Sequence, residues 1–98
     1  MKNDIVEDLE RAQQLAEMLK AVAHPVRLRS IAALCESPQT VTQLCERLDV
    51  RQSLVSQHLA VLRMVGLVHA DRNGGRATYS IKEQGLRSLI ACVTDCKT

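Results

Sequence analysis

Residues 51–81 read RQSLVSQHLAVLRMVGLVHADRNGGRATYSI, and this stretch limits the fold more tightly than any other. It opens with apolar residues at helical spacing: Leu54, Val55, Leu59 and Leu62. It closes with two short alternating runs, LVHADR and RATYSI, on either side of Asn73-Gly74-Gly75. The first pattern predicts a helix from about Gln52 or Ser53 to Val65, ended by Gly66. The second predicts a β-hairpin. A chain that changes period so abruptly must set one amphipathic helix beside a two-stranded ribbon.

Upstream, Ile5, Leu9, Ala12, Leu15, Leu19 and Val22 predict a first helix over roughly residues 5–22. Pro25 suits the first turn of a second helix, where its missing N–H costs little. Leu28, Ile31, Ala32 and Cys35 line that helix until Ser37-Pro38 stops it. Thr40 or Thr42 can cap a third helix, whose apolar stripe is Val41, Leu44, Cys45 and Leu48. DVRQS is a tight connection to the fourth. A last helix, roughly Glu83 to Cys96, should bury Leu86, Leu89, Ile90 and Val93. The expected fold is mainly α with a β-hairpin wing, ordered α1-α2-α3-α4-β-β-α5: a winged helix-turn-helix in a single domain over residues 1–98.

The chain has 98 residues with no Trp, no Phe and one Tyr, so its core must be aliphatic. A core of that kind is small, and dimerisation commonly supplements it. No apolar run approaches the roughly 20 residues needed to cross a bilayer. The start, MKNDIVEDLE, is acidic and lacks a signal-peptide core, which predicts a cytoplasmic protein with no membrane partner.

Net charge is only +2, but it is unevenly spread. Residues 1–22 carry three basic and five acidic side chains, whereas residues 51–81 carry four Arg and one Asp. A basic middle points to an anionic partner. On the fourth helix, Gln52, Ser53, Ser56 and Gln57 lie opposite the Leu/Val stripe. An α-helix fits the major groove of DNA, where Gln pairs with adenine at two points and Ser donates or accepts. Arg51 at the helix entrance suits a phosphate or a guanine. Arg72 and Arg76 flank a turn free of bulky side chains, so the wing can lie along the backbone or minor groove. His58 lies beside the apolar stripe and suits a structural or phosphate-contacting role. The competing reading is a solvated helix face beside a surface hairpin.

Four cysteines stand at 35, 45, 92 and 96. Without an export signal, metal binding or redox chemistry is a better reading than structural disulfides. Cys92 and Cys96 are spaced one turn apart, so with a third ligand such as Cys35 they could hold a thiophilic ion such as As(III). Cys45 belongs to its helix's apolar stripe. There is no Cys-x-x-Cys, phosphate loop or evident acid/base pair, so an enzyme is not expected.

Taken together, LKAVAHPVRLRSI, TVTQLCERLDVRQSLVSQHLAVLRMVGLV and ADRNGGRATYSI resemble the second-helix entry, helix-turn-helix and wing of the ArsR/SmtB family of bacterial repressors. The resemblance covers nearly the whole chain. It implies a homodimer formed by the first and last helices, bound to near-palindromic double-stranded operator DNA until an inducer arrives. Its recognition helices would then lie about one DNA turn apart. The arsenic-responsive type carries Cys-x-Cys-x-x-Cys at the third helix; residues 40–45 here keep only Cys45. The zinc-type site needs His on the last helix, and SIKEQGLRSLIACVTDC has none. The chain is most similar to the branch that senses reactive sulfur through a second-helix Cys and a C-terminal Cys linked on oxidation. That implies Cys35 with Cys92 or Cys96 and no bound cofactor, although the branch's usual second-helix position falls on Ala32.

Overall fold

The computed structural model describes residues 4–96. A short 3-10 turn, Asp4–Val6, precedes helix α1, Leu9–Val22. The helix therefore starts later than the apolar spacing predicts. Asp8 is the reason: its Oδ1 accepts the Arg11 N–H at 2.9 Å, capping the helix there and breaking the path from Ile5. Helix α2 is Pro25–Glu36, with Pro25 in its first turn as expected. Its cap is His24, whose Nδ1 accepts the Val26 N–H at 3.1 Å.

Strand β1, Gln39–Thr40, is too short to leave a periodic trace and was not expected from the sequence. Helix α3, Val41–Leu48, follows directly. Thr40, not Thr42, caps it: Thr40 Oγ1 accepts the Gln43 N–H at 3.2 Å, and Gln43 Oε1 accepts the Thr40 N–H at 2.9 Å. This reciprocal pair satisfies two backbone donors at once. Asp49 then adopts the left-handed conformation (φ 56°), and the Val50 N–H returns to the Cys45 carbonyl at 3.3 Å.

Helix α4 is Gln52–Met64. Gly66 takes φ 86°, and the N–H groups of Gly66 and Leu67 return to the Arg63 and Leu62 carbonyls, both at 3.0 Å. These are the two bonds of a Schellman end, with buried Leu62 and Leu67 as its apolar clasp. The chain leaves directly into β2, Val68–Asn73, and returns as β3, Arg76–Ile81. Asn73 pairs with Arg76, so Gly74 (φ 59°) and Gly75 (φ 82°) form a two-residue turn whose positive φ angles match the strand twist. Strand β1 adds antiparallel to β3, giving the order β1-β3-β2. Helix α5, Gly85–Thr94, completes the chain.

The core lies where α2, α3 and α4 meet the base of the hairpin. Ile31, Leu34, Leu44, Val55, Leu59, Leu62, Leu67 and Val68 are essentially without solvent contact. Ser30 is buried among them because its hydroxyl donates to the Val26 carbonyl at 2.7 Å. Buried Gln39 donates through Nε2 to the Ala33 carbonyl at 2.9 Å, tying β1 to the end of α2. The outer helices differ from expectation. Leu9 is 73% exposed, Leu19 54% and Val93 42%, so a single chain leaves much of their apolar stripes uncovered. The reason is topological: α1 and α5 flank the core, and an apolar cavity of about 330 Å3 lies between them, lined by Leu15, Met18, Leu19, Leu86 and Leu89.

Candidate nucleic-acid interface

Helix α4 turns Val55, Leu59 and Leu62 inward, which leaves the face bearing Gln52, Ser53 and Gln57 open. Arg51, Gln52, Ser53 and Gln57 are exposed, and Ser56 is half-buried. Arg51 occupies the N-cap position without capping through its side chain. Beside this face, the hairpin overhangs a cleft of about 380 Å3. Gln52 and Ser56 line it from α4, Arg72 and Arg76 from the hairpin, and Thr40 and Thr42 from the entrance to α3. The only charged groups lining it are the two arginines. A concave site with hydroxyls, a carboxamide and two guanidinium groups, and no carboxylate, is chemically suited to an anion.

The structure thus brings Gln52, Ser56, Arg72 and Arg76 into one cleft. Ser53 and Gln57 are outside its lining, on the adjoining exposed face of α4. His58 is elsewhere. Two residues beyond Ser56, it is turned about 160° around the helix from it. Its ring stacks on His24, with centroids 4.2 Å apart and planes tilted 37°. Burial, then the nearby His24 and Arg27, hold His58 below its ordinary pKa. Thr40 and Thr42, read from the sequence only as alternative helix caps, also line the cleft, as does Tyr79. The signal for Thr40 was its capping position at the first helix of the helix-turn-helix; Tyr79 gave none beyond being the one aromatic.

The thiols form a second group. Cys35 is half-buried against the core near the end of α2. Burial pushes its thiol up, partly opposed by the Arg87 guanidinium. Arg87 Nη1 donates to the Cys35 carbonyl at 2.6 Å, so α5 grips α2 there. Cys45 is half-buried against the core, in line with its place in an apolar stripe. Cys92 and Cys96 are exposed, and all four thiols are free. Cys92 comes five residues after Arg87, about 7.5 Å along the axis and about 140° around it. Cys96 lies past the end of α5 at Thr94. Among the described residues, no three His, Cys, Asp or Glu side chains of one chain converge on a metal-sized site.

Comparison with known proteins agrees with this architecture. The family described as "Bacterial regulatory protein, arsR family" matches residues 24–70, from the α2 cap into β2. The HTH-type transcriptional regulator NmtR from Mycobacterium tuberculosis is 40% identical over 83 residues, covering 85% of this chain and 69% of NmtR. The crystal structure of the transcriptional repressor BigR from Xylella fastidiosa superposes with a TM-score of 0.86 at 31% identity, covering 100% of both chains. The homodimeric winged helix-turn-helix DNA-binding domain Mb0332 from Mycobacterium bovis superposes at 0.78 with 27% identity, covering 95% of this chain and 84% of that one. Among the described residues, no helix is long and apolar enough to cross a membrane. On the strength of these matches and the geometry above, the chain belongs to the ArsR/SmtB family of winged helix-turn-helix transcriptional repressors.

Proposed function

We propose that two copies of the chain associate through α1 and α5 and seat both α4 helices in successive major grooves of an operator. The observation that carries this reading is the cleft where Gln52 and Ser56 of α4 meet Arg72 and Arg76 of the hairpin. In it Gln52 and Ser56, with exposed Ser53 and Gln57, read base edges. Arg72 and Arg76 hold the backbone, and Arg51 adds a phosphate or guanine contact. His58 supports α4 from the far side. The uncovered Leu9, Leu19 and Val93 supply apolar area for the dimer, as the homodimeric relative would suggest.

Release from the operator follows oxidation of thiols. Cys35 and one of Cys92 or Cys96 lose two hydrogens and become linked, either directly, while one organic persulfide is reduced to its thiol and hydrogen sulfide, or through one sulfur atom given up by a second persulfide that leaves as its thiol. In support, Cys35 sits at the α2–α5 junction and the C-terminal thiols are open to solvent. Because those thiols lie beyond the Arg87 grip, Cys92 on α5 and Cys96 just past its end, linking one of them to Cys35 moves the end of α5. That movement passes to the dimer and spreads the α4 helices. The competing inducer is a thiophilic ion such as As(III), which the exposed Cys92 and Cys96 support.

The test is fluorescence anisotropy of the reduced protein on a duplex selected from a random library, joined to intact mass and peptide mapping. Expected are two chains per near-palindromic duplex, and release by an organic persulfide with loss of two hydrogens or gain of whole sulfur atoms. Release by arsenite, with arsenic retained on unlinked thiols and reversal by a chelator, overturns the sulfur reading in favour of the metalloid. Release by neither reagent overturns both.

A further inference from the structure

The His24–His58 stack lies outside the DNA-facing cleft and joins two elements that matter. His24 caps the N-terminus of α2, and His58 sits on α4, the helix that the reading above places in the major groove. We propose that this pair is a proton-operated latch, closed while both imidazoles are neutral and opened by acidification, which loosens α4 from α2. Its link to DNA rests on the reading of α4 as the recognition helix.

Three observations carry it. First, His24 Nδ1 accepts the Val26 N–H at 3.1 Å, so the neutral ring must keep its proton on Nε2. Adding a proton to Nδ1 sets two donors against each other and removes the α2 cap. Second, the rings are stacked at 4.2 Å, so charging both places two like charges in contact. Third, the surroundings offer no relief. Arg27 acts on His58 with the same sign, and its Nε is buried without a hydrogen-bond partner. Helices α1, α2 and α3 and strand β2 all pack against α4. The charges acting on His58 are His24, the α2 cap, and Arg27 in the first turn of α2. Among the described residues, no carboxylate from α1, α3 or β2 is hydrogen-bonded or ion-paired to either ring.

The direction follows from linkage. His58 is held below 6.5, its ordinary value, by burial first and then by His24 and Arg27. Unfolded chains therefore take up the proton before folded ones. The stabilising contribution is complete above pH 6.5 and is lost as pH falls toward the folded value.

The test uses the full reduced chain. In DNA-free protein, imidazole 15N NMR should show His58 titrating below 6.5. A His58 titration at or above that value overturns the latch, and this measurement needs no variant. Urea unfolding should give an unfolding constant that rises about tenfold from pH 7.5 to pH 5.0 in the parent chain. In a His24→Asn, His58→Gln double variant, which keeps a capping oxygen and no proton to gain, the rise should be less than about twofold. Equal pH sensitivity in the two proteins overturns the latch. On the selected duplex, the parent should release DNA over the same interval and the variant should not; opening without release overturns the coupling to DNA. Absence of duplex binding at pH 7.5 overturns the recognition-helix reading alone, and the DNA-free titration still decides the latch.

Discussion

Arg87 of α5 donates through Nη1 to the Cys35 carbonyl at 2.6 Å, so the last helix supplies a donor to one of the terminal carbonyls of α2. That turn has no basic residue of its own. A guanidinium against terminal carbonyls also suits the negative end of the helix dipole. Gln84 fixes the geometry, its Oε1 accepting Arg87 Nε at 2.8 Å. One residue therefore joins α2 to α5 and sets a positive charge beside the Cys35 sulfur.

The thiols should react in order. Cys92 and Cys96 are exposed, whereas burial holds the Cys35 thiol high and its thiolate scarce. At pH 7.5, iodoacetamide should label the two C-terminal cysteines before Cys35. Arg87→Met removes the charge that favours the thiolate, so Cys35 should react more slowly still, and Arg87→Lys should recover part of the rate. Loss of the grip should cost about 1 kcal/mol in urea unfolding. Peptide mapping of the labelled protein checks the order; Cys35 labelled first would contradict it.

The interface should divide its work between helix and wing. Gln57→Ala should change which duplexes are preferred, by about 1–3 kcal/mol at the affected base pair. Arg76→Ala should weaken every duplex alike and reduce the salt slope of binding by about 0.9. Binding titrations at several salt concentrations on the selected duplex and a scrambled one measure both. Equal losses from both changes on every sequence would leave no division to explain.

Asp49 is the only described non-glycine residue with positive φ, at the end of α3. Its left-handed backbone crowds the side chain against the following carbonyl, which glycine avoids. Glycine gives back part of that gain through its freer unfolded state. Asp49→Gly should therefore stabilise the protein by about 0.5 kcal/mol in urea unfolding, with duplex affinity unchanged. A clear loss of stability would mean that the Asp49 side chain contributes more than its strain costs.

Short-range chemistry made most of the framework legible. The change from helical to alternating period at Gly66, the glycine turn and the Pro25 start are all local, and each stands where the residues place it. The start of α1 departs from the apolar spacing because a run of apolar residues says nothing about which carboxylate will claim a free N–H. Strand β1 was invisible because two residues carry no period; it exists only because β3 lies alongside to pair with Thr40.

The order of the five helices and the hairpin, the helix-to-hairpin switch and the polar face of α4 were all written in the residues, since these depend on neighbours within about one helical turn. Tertiary structure alone decided what those faces meet. It closed a carboxylate-free cleft between α4 and the wing, and it left the stripes of α1 and α5 uncovered. It set Arg87 on Cys35 across 52 positions of chain. It also turned His58 away from the cleft and onto His24. The physical reason is the same in each case: hydrogen bonds, charges and stacked rings act over a few ångströms of space, and only the packed core brings residues that far apart in sequence within that reach.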